Sequence, residues 1–208
     1  LPTMAQVQDN IAPLLIAVRD YLSGSLTVLL DGERDQVVLD NIGRPNEDLT
    51  IEDGGATYLT LIRTEEDASR QERRNVRKVA TPGDAAPGII RRNPPVNLSL
   101  YILVTANHDS YQDALNVLSE IVATFQHRNV LNAVDLNLAT DAFFASRQLK
   151  FTLMSPSLEE WNHLWSMLGG KQLPALLYMV QTLAIEYIPD TELPGSPIRE
   201  IHLTETIV

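Results

Sequence analysis

Residues 96–107, VNLSLYILVTAN, set the strongest limit on what this chain can become. Val96, Leu98, Leu100, Ile102 and Val104 alternate with Asn97, Ser99, Tyr101, Leu103 and Thr105, and a period of two marks an extended strand with a face turned to a core. A strand is stable only inside a sheet, so the rest of the chain must supply partners. "QLKFTLMS" (148–155) restores the alternation, and "QVVLDNI" (36–42) is a shorter candidate. "DGGATYLTLIRTE" (53–65) is a turn followed by a strand in which Tyr58, Leu59, Leu61 and Ile62 stand among Thr57, Thr60 and Arg63. Pro174 resets the chain, and Ala175 to Tyr187 reads as a long strand.

Helical periodicity appears between these strands. Ile11, Leu14, Leu15, Val18, Tyr21 and Leu22 share a stripe that predicts a first helix over roughly Ala5 to Leu22, kinked at Pro13 or beginning close to it. A second helix is capped by Ser110, with Asp113 near its positive end and Tyr111, Leu115, Leu118, Ile121, Val122 and Phe125 as its apolar face. Residues 126–146 read as irregular. Ser157 and Glu160 form an S-x-x-E capping box that starts a third helix of about three turns. Gly169–Gly170 stop it by supplying left-handed backbone. Helix, strands, loop, strand, helix, strand, helix and strand, joined by short connections, predict an α+β fold with a mixed, mostly antiparallel sheet and helices packed on it. Residues 4–188 make the domain, a long loop occupies 64–95, and 189–208 form a C-terminal arm whose end, "IREIHLTETIV", can form a strand.

The chain has 208 residues, 44% hydrophobic and 21% charged, which suits one cored domain with appendages. Its net charge of −11 argues against a nucleic-acid binder, since phosphate contacts need clustered Lys and Arg. There is no cysteine, which excludes a disulfide scaffold and a Cys-based zinc site. No apolar run approaches the roughly 20 residues of a membrane-spanning helix, so no membrane insertion is expected. "LPTMAQVQDN" lacks the basic start and apolar stretch of a signal peptide, and the chain reads as cytosolic when made, with Met4 a candidate start.

Catalytic patterns fail in turn. Glu160-Trp-Asn-His163 is an E-x-x-H on a helix, but a carboxylate-bridged metal pair needs two such motifs and two further carboxylates, and Glu160 is already explained as a cap residue. "GGKQ" (169–172) lacks the earlier glycine of a phosphate loop, puts Gln172 where Ser or Thr must reach magnesium, and follows a helix rather than a strand. There is no G-x-S-x-G, and His108, Asp109 and Ser110 are explained by a turn leading into a capped helix. No enzyme and no cofactor are expected.

Two surfaces remain. Arg70, Arg73, Arg74, Arg77 and Lys78, with Arg63, Arg91 and Arg92, give residues 63–92 eight basic and five acidic side chains, a net +3 that leaves the remainder at −14. Such a segment is either a solvated loop or one that docks on an acidic protein surface; nucleic acid is a distant third, because no aromatic residues interleave. Trp161 and Trp165 share a helix face, and with Leu158, Leu164 and Leu168 the helix is apolar over much of its circumference. Either it is deeply buried or one side is an interface.

Several blocks, in matching order over about 4–188, resemble one family: the N-terminal helix, "YLTLIRTEED", "NPPVNLSLYILVTANHDSYQDALNVLSEIVATFQ" and "LKFTLMSPSLEEWNHLWSMLGGKQLPALLYMV". These are similar to the tail terminator, or cap, proteins of bacterial extracellular contractile injection systems, phage-tail-like particles that include antifeeding prophages and virulence cassettes. The resemblance implies a phage tail-terminator-like α+β fold without catalytic residues. It also implies a homo-hexameric ring that closes the inner tube and sheath at the end distal to the baseplate. Its partners would be the inner tube protein and the sheath protein, and the subunit would pass from the bacterial cytoplasm into the assembled particle. The basic loop and the arm after Tyr187 depart from the matched blocks. Ile201 and Leu203 of the arm are candidates for strand pairing with a sheath subunit. A neck or baseplate connector of the same particle is the alternative, and an enzyme with an unrecognised site the third reading.

Overall fold

The computed structural model describes residues 11–26, 29–30, 33–34, 37–43, 55–67, 76–79, 88–91, 96–138, 148–170, 172–185 and 193–195. In chain order the elements are α1 (Ile11–Ser25), β1 (Leu29–Leu30), β2 (Glu33–Arg34), β3 (Val37–Leu39), β4 (Ala56–Glu66), β5 (Val76–Val79), β6 (Gly88–Arg91), β7 (Val96–Asn107), α2 (Tyr111–His127), β8 (Val130–Asn132), β9 (Gln148–Met154), α3 (Leu158–Met167), β10 (Ala175–Ile185) and β11 (Leu193–Gly195). Six strands form the main sheet in the order β3-β4-β7-β10-β9-β8, with β1 and β2 paired apart and β11-β6-β5 making a third sheet. Only the β3–β4 pair is parallel among these ladders. The α+β class and the mostly antiparallel sheet expected from the sequence are what is found.

The alternation of β7 explains the layering. Leu100, Ile102, Val104 and Ala106 join one core with Leu14, Val18 and Leu22 of α1 and Val117, Ile121 and Phe125 of α2. Leu103 points the other way and is buried with Leu177 of β10 and Trp165 of α3, with Tyr101, Ile62 and Met154 around them. The sheet therefore lies between two helices on one side and a single short helix on the other. Across the central pair, Leu103 stands opposite Thr60 and Leu177. That position is 0% exposed, because a central strand is covered on both faces.

Several expectations are refined. The first helix is described from Ile11, and the expected turn from Ala5 to Asn10 lies outside the described residues. Pro13 sits in the first described turn, where a missing N–H removes no intrahelical bond. In α2 the buried positions are Ala114, Val117, Leu118, Ile121 and Phe125, whereas Tyr111 and Leu115, expected on the apolar face, are 68% and 42% exposed. The stripe is turned toward Ala114 and Val117 because those residues, small and β-branched, fit the close approach to β7. Residues 126–146 are not wholly irregular, since β8 pairs with β9 through Leu131 and Leu149. The turn behind β8 is closed by the Asn132 side chain, which accepts from Val134 and Asp135 N–H groups, and by an Arg128–Asp135 ion pair at 2.7 Å.

The segment 64–95 also departs from a plain loop. β4 continues to Glu66, and β5 and β6 form an antiparallel pair with Arg77 opposite Ile90 and Lys78 opposite Ile89. β11, within the stretch expected to be an arm, pairs with β6 through Leu193 and Arg91. Four-residue strands rich in Arg and Lys carry too short a period to register in the sequence. The end of the arm, with Ile201 and Leu203, lies outside the described residues.

Candidate assembly surface

The third helix is built as its sequence predicts. Ser157 accepts from the Glu160 N–H, and the Glu160 carboxylate accepts from the Ser157 N–H at 2.7 Å. These hydrogen bonds hold the Glu160 carboxyl below its ordinary range, the backbone bond contributing most. At the other end Leu168 donates to Leu164 and Trp165, and Gly170 donates to the Trp165 carbonyl at 2.8 Å. Gly169 and Gly170 have φ of 98° and 81°, a region that costs glycine little and other residues more. This is a helix stop in backbone terms, and the reading of "GGKQ" as a phosphate loop falls with it.

The other chemical candidates separate in space or are otherwise engaged. Glu160 is engaged in its own cap and His163 is exposed. Among the described residues no group of three or more His, Asp and Glu stands close enough to hold a metal, and no helix is long and apolar enough to cross a membrane. His108 lies 3.2 Å from the Thr57 hydroxyl, while Ser110 caps α2 and Asp109 faces outward. The triad order seen in sequence therefore does not become a triad.

Beside its exposed polar residues, α3 presents apolar ones. Trp165 is buried at 7% exposure and Trp161 is half-buried beside it, the rings 6.4 Å apart and tilted by 17°. Leu158 and Met167, at the two ends of the helix, are 86% and 79% exposed. The helix is thus not deeply buried, and one side is free. Between its N-terminal half and the segment Gln172–Ala175 runs a groove of about 300 Å³, lined by Leu158, Trp161, Trp165, Leu173 and Pro174 among others. Gly-Gly followed by Pro174 marks a reversal of the chain in the sequence, but not how closely the chain then returns along the helix.

The basic residues divide into groups. Arg77 and Lys78 lie on β5 and Arg91 on β6, while Arg70, Arg73, Arg74 and Arg92 lie outside the described residues. Arg63 belongs to another setting: it lies 5.9 Å over the Tyr101 ring and 3.5 Å from Glu65. The Tyr101 hydroxyl donates to Glu65 at 2.9 Å, and this bond is the main cause that raises the phenol above its ordinary range. Sequence reasoning missed this trio because a one-residue irregularity between Leu61 and Arg63 is what brings Arg63 opposite Tyr101.

Fold and surface together define an α+β module with exposed apolar side chains at the two ends of α3. The chain belongs to the Pvc16 N-terminal domain family, whose model matches residues 15–197. Two cryo-EM structures are similar to it. One is a sheath/tube terminator of an extracellular contractile injection system in the extended state, 15% identical with a TM-score of 0.63, covering 99% of this chain and 65% of that one. The other is the tube-terminating cap of the anti-feeding prophage, 18% identical with a TM-score of 0.57, covering 96% of this chain and 62% of that one. This chain therefore spans less than two thirds of either protein. No curated protein matches it. The family match and the two likenesses bear out the resemblance to the tail terminators of contractile injection systems.

Proposed function

We propose that this chain is a structural subunit of the cap that terminates the inner tube and sheath of a contractile injection particle, at the end distal to the baseplate. The observation that carries the reading is the family match over 15–197, joined to likeness along nearly the whole chain with two terminators. The physics supports it. A head-to-tail stack of rings does not close on itself and grows until something stops it. A terminator must match the last layer on one face and offer nothing to extend on the other. The subunit acts as a homo-hexameric ring, with inner tube and sheath proteins as partners and no catalytic role. It is made in the bacterial cytoplasm and leaves as part of the particle. A strongly acidic chain keeps free subunits apart until the tube end organises them.

Deleting the gene in the producing bacterium is expected to give overlong tubes of broad length distribution, or tubes stripped of sheath at one end, by electron microscopy. Normal, uniform, fully sheathed particles would overturn the reading and favour a neck or baseplate connector. The arm is the candidate sheath contact, through strand pairing at Ile201 and Leu203. Removing residues 196–208, which spares β11, is expected to loosen the sheath while circular dichroism stays that of the intact chain. Full sheath retention would sink the arm's part in it.

A further inference from the structure

We propose that two copies of the free chain pair through the outer face of α2, one helix lying antiparallel to the other across a two-fold axis at Ser119. The inference goes beyond the cap reading and does not rest on it.

The sheet turns one face of α2 inward at Ala114, Val117, Ile121 and Phe125. The opposite face is centred on Ser119, because positions 112, 115, 116, 119, 123 and 126 recur at helical spacing. Tyr111 and Leu115 on it are 68% and 42% exposed, and Gln112, Asn116, Ser119, Ala123 and Gln126 are exposed as well. No Asp, Glu, Lys or Arg stands among them. The two carboxylates of α2, Asp113 and Glu120, lie on its flank and are half-buried.

A solvated helix face ordinarily carries charge. Elsewhere this chain follows that habit: the first turn of α3 exposes Glu159 and Glu160, and the end of β4 exposes Arg63, Glu65 and Glu66. A face that keeps tyrosine and leucine at the surface and leaves out charge has the composition of an interface core. α1, packed over the same core, continues it. Ala12, Pro13 and Ile16 are exposed, and Arg19 and Asp20 neutralise each other at 2.6 Å.

The arrangement of the face points to its occupant. Ser119 is the midpoint of Tyr111–His127. An antiparallel copy related by a two-fold axis there sets residues equally far before and after Ser119 at the same height, by the uniform rise of the helix. Leu115 then stands beside the partner's Ala123, a large side chain over a small one. Gln112 stands beside the partner's Gln126, two amides that each donate and accept. The Ser119 hydroxyl already donates to the Leu115 carbonyl of its own helix at 2.7 Å, so the two helices can approach at the axis without stranding a donor. Charge favours the same occupant. Copies carrying −11 each repel wherever their carboxylates face one another, and this face sets none against its copy. A strongly basic or acidic partner would find nothing on it to pair with. A two-fold contact closes on itself and adds no third copy, so the net charge still keeps pairs from gathering into larger assemblies.

The chain has no cysteine, so introduced cysteines report the axis. Purified Ser119→Cys, once oxidised, is expected to run as a covalent dimer on a non-reducing gel, because a residue on the axis meets its own copy. Leu115→Cys and Ala123→Cys should give the dimer together and not singly. Leu158→Cys, 86% exposed on the helix across the sheet, should stay monomeric. Sedimentation equilibrium of the full chain should show monomer and dimer in exchange. Leu115→Glu with Ala123→Glu should raise the dissociation constant at least about tenfold by setting like charges together, while circular dichroism stays that of the intact chain. Gln112→Glu with Gln126→Glu repeats the test if the first pair disturbs folding. A chain monomeric at every concentration, cross-linking of Ser119→Cys no stronger than that of Leu158→Cys, or dimers indifferent to the charged pairs would each overturn the proposal. Normal particle lengths after gene deletion would end the cap reading and leave this test as it stands; a failed dimer would leave the cap reading in place.

Discussion

Gly55→Val is expected to destabilise the chain by about 3 kcal/mol, from the strain of a β-branched residue at positive φ together with overpacking. Gly55 has φ +81°, and a Cβ placed on it would sit 2.4 Å from the Asn107 carbonyl oxygen and 2.7 Å from the His108 Cα. Both are backbone atoms, so no side-chain rotation relieves the clash. The damage falls where β4 begins its pairing with the end of β7, at Ala56 opposite Asn107. That ladder then has to splay or shift. Urea unfolding followed by circular dichroism would show a lowered midpoint. Gly24 provides the contrast: it lies in α1 with nothing within 4 Å of an added Cβ. Gly24→Ala should therefore raise stability by roughly 0.5–1 kcal/mol. Equal behaviour of the two variants would mean that the close approach at Gly55 is not real.

Phe125→Ala should cost about 3–5 kcal/mol, the usual range for emptying a buried aromatic site. Phe125 is 4% exposed, stacks on Phe151 at 4.4 Å and lies 4.9 Å from the Tyr178 ring. These rings come from α2, β9 and β10, so the site joins one helix to two strands, and its loss leaves a cavity that rigid strands cannot collapse. A denaturant midpoint lowered by less than 1 kcal/mol equivalent would contradict the packing. Leu115→Ala tests the same helix from outside. At 42% exposure it should change stability by no more than about 0.5 kcal/mol, although hydrophobic periodicity alone puts Leu115 on the inner face.

That contrast shows where sequence reading reaches its limit. The long alternation of β7, the Ser110 cap, the Ser157–Glu160 box and the Gly-Gly stop are local, and each was readable because backbone geometry demands those residue types in those places. The face of α2 was not, because Tyr111 and Leu115 continue the hydrophobic stripe and only the sheet decides which edge of it is buried. β5 and β6 were missed for a different reason: four residues give two alternations, and their cations resemble a solvated loop. The parallel pairing of β3 with β4 is long-range in origin, set by the fold and not by either strand. For the helix that carries Trp161 and Trp165, the choice between burial and exposure needed the position of the sheet. The groove itself depends on how Gln172–Ala175 returns along α3, a matter of three-dimensional placement.

One hydrogen bond carries a further meaning. The Asp67 N–H donates to the Asn97 carbonyl at 2.8 Å, which pins the end of β4 to the start of β7 and brings the two ends of the intervening segment together. A segment tethered at a closed neck can lengthen cheaply, since doubling a flexible loop adds only about 0.6 kcal/mol. The cost of lengthening the segment between Asp67 and Asn97 therefore falls on its own closure and not on the β4–β7 ladder.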